Sequence, residues 1–391
     1  MFGIELEMTE LLFTLPPEHV AVRDMARDFA AAKILPRALD WDRDKHFPID
    51  VMREAATLGM GGIYVREDAG GSGLSRLDAA LIFEALATGC PTVSAYLSIH
   101  NMCAAMIDRY GTDAQRQEYL PGMCRMDQLT AYCLTEPGSG SDAAALKTTA
   151  KISGSQFVLN GTKQFISGAG AADIYIVLAR TGAAGPAGIS AILVPATAPG
   201  LSFGANERKM GWNAQPTRSV VFEDCRVPAG NLIGKDGEGF KIALSGLTGG
   251  RLNISACSLG GAQAAFDKAV AYMSERNAFG KTLNQFQGLQ FRVAEMAAEL
   301  EAARCLLYAS AAAFDRADDD AQLRSSMTKL FVTDTAYKVA NQALQMLGGY
   351  GYLAEYGIEK LVRDLRVHQI LEGTNEIMRV IIARHILSVR S

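Results

Sequence analysis

Three stretches of the chain carry residues that could do chemistry. The first is Arg366-Val-His368-Gln-Ile-Leu-Glu372-Gly373-Thr374-Asn375-Glu376-Ile-Met-Arg379, which sets one carboxylate, Glu372, before a glycine and between two apolar runs. Thr374 suits a helix N-cap, and Glu376 falls in the first turn behind it, where a carboxylate favours the positive helix end. Ile377, Val380, Ile381 and Arg384 continue at helical spacing. Glu372 is therefore expected on a tight turn leading into a partly buried helix. Apolar neighbours would raise its pKa towards that of a useful general base. An isolated Glu-Gly-Thr is more simply a solvated turn.

The second is Tyr132-Cys133-Leu134-Thr135-Glu136-Pro137-Gly138-Ser139-Gly140-Ser141-Asp142. Its glycines let backbone approach a ligand closely, and Thr135, Ser139 and Ser141 offer hydroxyls and amides. Gly-Ser-Gly-Ser alone would read as a polar turn. The third is Ser274-Glu275-Arg276-Asn-Ala-Phe279-Gly280-Lys281-Thr282-Leu283, followed by Phe286-Gln287-Gly-Leu-Gln290-Phe291. Gly280-Lys281-Thr282 is not a P-loop, because Glu275 stands where the first glycine belongs. The glycines of Glu67-Asp68-Ala69-Gly70-Gly71-Ser72-Gly73 likewise miss the dinucleotide-binding spacing, with Arg76 in the third place.

The elements that must position these stretches fall into an α–β–α order. Residues 1–126 read as an N-terminal helical domain, helical over 11–126, with a helix start at Thr14 before Pro16-Pro17-Glu18. Residues 127–235 read as a β-domain. Lys151 to Ser167 looks like strands joined by tight turns, with Asn160-Gly161 as a type I′ hairpin signal. Further strands are expected at Asp173–Ala179, Gly188–Pro195 and Thr217–Cys225. Residues 236–391 return to helix. Leu289, Val293, Met296, Leu300, Ala303 and Leu307 mark one amphipathic stripe, and Leu323, Met327, Leu330, Ala340, Leu344 and Leu347 another, as in a helical bundle. The fold class is α+β.

Composition narrows the function. The 391 residues are too many for one small core, and 49% hydrophobic with 20% charged residues is globular. A net charge of −4 with no long basic run gives no electrostatic footprint for nucleic acid. No apolar run approaches a membrane span. Met1 to Glu10 is acidic and lacks the basic region of a targeting peptide, so a cytoplasmic location is expected, a processed mitochondrial form being the alternative. The seven cysteines show no C-x-x-C pair and read as reduced, mostly buried thiols of an intracellular protein. The five histidines form no H-x-x-x-H cluster, so no metal site is expected.

Ile370-Leu371-Glu372-Gly373-Thr374-Asn375-Glu376 resembles the catalytic segment of the acyl-CoA dehydrogenases, and Tyr132–Asp142 resembles their flavin-binding segment. The Arg276/Phe286 stretch and Gln345-Met346-Leu347-Gly348-Gly349-Tyr350-Gly351-Tyr352 are also similar to family segments, and the resemblance covers roughly residues 12–388. It implies a middle β-domain held between an N-terminal helical domain and a C-terminal four-helix bundle. FAD is the implied cofactor. Glu372 is implied as the base that removes the α-proton of an acyl-CoA thioester, while a hydride leaves Cβ for the flavin. The implied donors to the thioester oxygen are the backbone N–H of Glu372 and a flavin hydroxyl.

The resemblance further implies that residues 132–141 line the flavin, with Ser141 also meeting the acyl-CoA. Phe165-Ile166-Ser167 stands where many members carry Trp and Thr; Phe165 has no indole N–H, and as plain residues these read as strand on a half-buried face. Arg276 is implied at the FAD pyrophosphate, Phe286 and Gln287 at the adenosine end, and Gln345 to Gly349 at a flavin bound mainly by another subunit. That implies a homotetramer. Thr374, Asn375 and Glu376 are implied at the flavin. Thr248, Gly249, Gly250, Arg251, Gly373 and Arg384 are implied at the substrate, an intramolecular ion pair being the alternative for Arg384. In isovaleryl- and long-chain-type members a glutamate directly precedes the arginine of this helix. Gly250 occupies that place and cannot take a proton, which leaves the role to Glu372.

Stretches around Phe165–Gly170, Lys209–Arg218, Gly249–Ile254 and Arg366–Glu372 resemble members that oxidise isobutyryl-CoA to methacrylyl-CoA in valine breakdown. A short straight-chain or 2-methyl-branched acyl-CoA is the alternative substrate. Electron-transfer flavoprotein is the implied electron acceptor. A flavin oxidase and a non-enzymatic member of the fold are the other classes the sequence leaves open.

Overall fold

The computed structural model describes residues 15–388. In chain order the helices before the sheet are α1 (Pro17–Phe29), α2 (Ala38–Asp44), α3 (Ile49–Thr57), α4 (Arg76–Gly89), α5 (Pro91–Tyr110) and α6 (Asp113–Cys124). The strands follow: β1 (Thr130–Cys133), β2 (Thr149–Ser153), β3 (Gln156–Ser167), β4 (Ile174–Arg180), β5 (Ile189–Pro195), β6 (Leu201–Phe203), β7 (Thr217–Pro228) and β8 (Leu232–Ile233). Then come α7 (Gly239–Glu275), the small hairpin β9 (Asn277–Ala278) and β10 (Lys281–Thr282), α8 (Gln287–Asp315), α9 (Ala321–Leu347), α10 (Ile358–Arg366) and α11 (Asn375–Ser388). The helix start at Thr14 lies outside the described residues. α1 begins behind Pro16, with Pro17 at its first position, where a missing N–H costs nothing.

By packing, the chain divides into two compact units that do not follow its order. One contains the described residues up to Leu39, Arg76–Ser94 and the described chain from Arg251 onward. In it α1 packs on α4, α4 on α8, and α9 on α8, α10 and α11. The buried face of α9 carries Ser325, Thr328, Val332, Ala336, Val339, Ala343 and Met346. Of the stripe read from the sequence, Leu323, Met327, Leu330 and Leu344 are only half-buried, while Ala340 and Leu347 are buried. Small and hydroxyl residues share that inner face with Val332, Val339, Met346 and Leu347.

The other unit contains Asp40–Ser75 and Ala95–Gly250. Its sheet runs β6-β7-β3-β2-β4-β5-β8, antiparallel except where β1 and β2 run parallel to β4. Ile174, Ile176 and Leu178 of β4 and Ile189, Ala191 and Leu193 of β5 pack with Met102, Met106, Ile107, Leu120 and Met123 from α5 and α6. β1 and β2 share one edge of β4: β1 pairs along Ile174–Val177, and β2 reaches it only at Arg180. The chain therefore leaves the sheet after Cys133, and the following residues loop out at this split.

The hairpin expected at Asn160-Gly161 is a correction. Those residues lie within β3, and the β2–β3 turn is Gly154-Ser155, with Ser153 paired to Gln156 and Gly154 at φ +63°. A bulge in β7 explains the Asn-Gly pair. Asp224, at φ +48°, is the extra residue, and its side chain and N–H bond the Asn160 amide at 3.0 and 2.9 Å. A Cβ at Gly161 would come within 2.7 Å of the Thr148 Cα.

Candidate active site

Between α10 and α11 the chain makes a short turn at Val367–Gln369 and then adopts left-handed backbone at two successive residues, Glu372 (φ +58°) and Gly373 (φ +85°). For a glutamate this conformation costs about 1–3 kcal/mol and persists only where the surroundings over-determine it. They do. Thr374 Oγ1 accepts from Ile377 N–H at 3.3 Å, the expected N-cap of α11. The Asn375 side chain is buried, accepts from Lys329 Nζ at 2.7 Å and donates to Asp334 Oδ1 at 2.7 Å. It is thus engaged inside the protein, whereas Glu376 is exposed and bonds Arg379.

The Glu372 residue is partly exposed, but its Oε2 is buried and has no hydrogen-bond partner. Burial pushes its pKa up to about 7, against the opposing pull of Arg251 and Lys329. Arg251, on α7, is itself buried, donates to Ser326 Oγ at 3.2 Å and leaves Nε unbonded. Burial holds its pKa below the ordinary arginine value, and Glu372 opposes that shift. Burial and the neighbouring Lys329 keep His368 neutral, its pKa lowered to about 3. A carboxyl poised near neutrality with an unsatisfied, buried oxygen can accept a proton from a bound carbon acid.

In the β-containing unit, Tyr132 and Cys133 end β1 and the next residues cross the split in the sheet. Lys163 Nζ donates to Leu134 O at 3.0 Å and to Glu136 Oε1 at 2.8 Å, and Gln164 N–H donates to Thr135 O at 2.8 Å. Glu136 also accepts from the N–H groups of Lys147 and Thr148. Its side chain therefore braces the segment from within. Backbone bonds in both directions between Glu136 and Ser139 close a turn with Pro137-Gly138 at its tip. Ser139 Oγ donates to Asp142 O at 2.6 Å. Pro137, Gly138, Gly140 and Ser141 form the exposed edge.

β3 carries one extra residue between Lys163 and Ile166, opposite Val220 and Arg218. The resulting bulge puts Phe165 at φ +59° with 63% of its surface exposed, while Ile166 is buried. Ser167 Oγ accepts from Gln215 Nε2 at 3.2 Å.

In the helical unit, Arg276, Phe286, Gln345, Met346, Leu347, Gly348 and Gly349 line one open cavity of about 920 Å³. The Arg276 guanidinium lies 5.5 Å from the Tyr350 ring centre. Gln287 is exposed and is not among the lining residues. Thr248 bonds back to Leu244 O within α7. Gly249 and Gly250 are buried. Arg384 is exposed on α11; of the apolar residues beside it Val380 is 40% exposed, while Ile377 and Ile381 are half-buried. Arg384 makes no ion pair among the described residues.

Family models now decide the identity of the fold. The N-terminal, middle and C-terminal domain models of acyl-CoA dehydrogenase match residues 16–127, 131–225 and 237–387. The chain belongs to the acyl-CoA dehydrogenase family. It is 54% identical to a mitochondrial isobutyryl-CoA dehydrogenase of Dictyostelium discoideum, over 93% of this chain and 88% of that protein. It is 52% identical to a mitochondrial isobutyryl-CoA dehydrogenase of Bos taurus, over 95% and 90%. The butyryl-CoA dehydrogenase structure from Megasphaera elsdenii superposes with a TM-score of 0.93 at 37% identity, covering 96% of this chain and 99% of that one.

This family member is an FAD-dependent acyl-CoA dehydrogenase, an oxidoreductase acting on CH–CH bonds. Its residues fit the cofactor. A Cβ at Gly138, Gly140 or Gly349 would meet no protein atom within 4 Å, and none of the three has positive φ. Neither packing nor backbone torsion asks for glycine there, while a closely approaching ligand does. Among the described residues no group of three His, Cys, Asp or Glu could hold a metal ion, and no helix is long and apolar enough to cross a membrane. None of the seven cysteines is in a disulfide, and six are buried.

Sequence reading missed Lys329, Asp334 and Lys163. Each is a lone charged residue in a helix or strand pattern, and its partners lie far along the chain. Only an unexplained charge on an otherwise buried face could have signalled them.

Proposed function

We propose that this acyl-CoA dehydrogenase oxidises isobutyryl-CoA to methacrylyl-CoA, with Glu372 as the base. The observation that carries the role of Glu372 is its buried, unbonded Oε2 at a pKa of about 7. The substrate is supported by the 54% and 52% identity to proteins named isobutyryl-CoA dehydrogenase.

Glu372 takes the proton from Cα of the thioester. As the proton leaves, charge grows on the thioester oxygen, and the backbone N–H of Glu372 stabilises it in the manner of an oxyanion hole. Arg251 and Lys329 keep the carboxylate ionised enough to act at neutral pH. Bound FAD supplies the hydride acceptor for Cβ, and electron-transfer flavoprotein then takes the electrons. We assign the flavin-facing role to the exposed edge at Pro137–Ser141 and to Phe165. We assign a flavin shared with a neighbouring subunit to the cavity lined by Arg276, Phe286 and Gln345 to Gly349. The assembly in this reading is a homotetramer, in which the exposed Phe291, Phe331 and Leu387 of the C-terminal helices would find cover.

Isobutyryl-CoA makes a geometric demand. Cα bears two carbon substituents besides the thioester carbonyl, so the base must reach a tertiary C–H past an extra methyl. Nothing extends beyond Cβ, so the pocket is short and wide. Such a pocket discriminates against one added methylene by only about 1–3 kcal/mol. The test is kcat/KM for isobutyryl-, butyryl-, 2-methylbutyryl- and octanoyl-CoA, with anaerobic flavin bleaching as the direct readout. Isobutyryl-CoA leads, the two near neighbours are secondary, and octanoyl-CoA is poor; a preference for octanoyl-CoA contradicts the assignment.

A further inference from the structure

We propose that Lys329 is a positioning residue for the base: from α9 it locks the Glu372–Gly373 turn in the left-handed conformation that presents the carboxylate. This rests on the reading of Glu372 as the base and extends it to a residue that makes no hydrogen bond to that carboxylate.

Lys329 is completely buried. Its ammonium donates to the carbonyl oxygen of Gly373 at 2.8 Å and to Asn375 Oδ1 at 2.7 Å. A buried ammonium must find acceptors, and these two sit one and three residues after Glu372. Thr333 lies one helical turn further along the same face of α9, and its Oγ1 accepts from Asn375 Nδ2 at 3.0 Å. The next residue, Asp334, accepts from Asn375 Nδ2 and from Gln369 Nε2, each at 2.7 Å, and from Arg379 Nη2 at 3.2 Å. One stretch of α9 thus holds the chain upstream of Glu372 at Gln369 and downstream at Gly373, Asn375 and Arg379.

The bond to Gly373 O is the informative one. It fixes the peptide that follows Gly373, directly behind Glu372, whose left-handed φ of +58° a residue with a Cβ leaves when nothing holds it. A lysine aimed at the carboxylate would tie up the base. Here the ammonium is used on the backbone and on Asn375, and Glu372 Oε2 stays unbonded. The cation still acts on the carboxyl through space, together with Arg251 from α7. The titratable and charged groups around the ammonium are Glu372, Arg251, Asp334, Glu376 and His368, and Cys257 of α7 feels the Glu372 carboxylate. Burial lowers the Lys329 pKa to about 8, and Glu372, Asp334 and Glu376 support its charge against that.

The experiment uses FAD-loaded enzyme with three variants, Lys329→Met, Asn375→Ala and Glu372→Gln. Anaerobic flavin reduction by isobutyryl-CoA is followed by stopped flow across neutral and alkaline pH. Misplacing a reacting group by an ångström costs roughly 10²-fold. Lys329→Met is expected to keep FAD and thioester binding, to lose reduction rate on that scale at neutral pH, and to shift the acid limb of the pH profile upward by about one unit or more. Asn375→Ala, which keeps the cation, is expected to lose rate with the limb in place. A Lys329→Met enzyme with the rate and limb of the parent overturns the proposal. So does one whose rate falls only in step with lost FAD and thioester binding, with the limb unmoved. If Lys329→Met does not fold, Asn375→Ala decides, and a parental rate there overturns the proposal. Glu372→Gln separates the two readings: if it still reduces its flavin, the assignment of the base fails whatever Lys329 does.

Discussion

The Lys163 ammonium lies 2.8 Å from Oε1 of Glu136, with both side chains buried beneath the segment that crosses the split in the sheet. The same ammonium holds the Leu134 carbonyl, so one residue of β3 fixes where Thr135 to Ser141 run. Removing one partner of a buried pair strands the other, at a cost of about 3–5 kcal/mol. Lys163→Met should lower stability by that amount in urea unfolding and lower FAD content as well. Adding Glu136→Gln should recover part of the loss. A single variant with parental stability would show that the pair contributes nothing.

The pair also sets an acid sensitivity. Burial works against the Glu136 carboxylate, but Lys163 and the N–H groups of Thr148 and Lys147 outweigh it and hold its pKa below the usual carboxylate value. A depressed carboxyl contributes stability that is full above its unfolded pKa, about 4, and lost as pH falls through the lower folded value. Glu136→Gln should therefore cost stability at pH 7 and show a flatter fall below about pH 4. Parallel stability–pH curves for the two proteins would contradict this.

Arg276 is exposed at the rim of the open helical cavity. If it meets the pyrophosphate of FAD, its charge-assisted bonds are worth roughly 1.5–3 kcal/mol each. Arg276→Ala should lower FAD occupancy at limiting FAD while leaving the folded assembly intact by light scattering. Full occupancy in the variant removes the assignment.

Local features were legible in the sequence. The turn at Glu372 and the Thr374 cap involve neighbours in the chain, so residue type and spacing revealed them. The long strands β4, β5 and β7 followed from their apolar content. Asn375 and Glu136 sit in segments that resemble ligand-binding ones, yet their side chains brace the fold from within. The Asn160-Gly161 signal was real as chemistry, since both residues answer an irregular backbone, but the irregularity is a bulge in the neighbouring strand. Nothing local could announce Lys329 or Asp334, whose partners lie 35 to 46 residues on. The packing of α1 and α4 with the C-terminal helices is equally non-local.

The pH dependence of flavin reduction follows from Glu372. Its pKa is raised to about 7 by burial, so it is largely protonated in acid and cannot accept. The rate constant at saturating substrate should rise through neutral pH and level off in mild alkali, provided substrate binding leaves the local field unchanged. A profile that rises only around pH 4, the value of an ordinary carboxylate, would mean that burial does not tune the base.

The most direct measurement is anaerobic reduction of the flavin in Glu372→Gln by isobutyryl-CoA. Glutamine is nearly isosteric but cannot take the proton. The variant should bind FAD and the thioester yet reduce at a rate lower by roughly 10²–10⁴-fold or more. Bleaching at the parental rate, with both ligands bound, would place the base elsewhere and contradict the account.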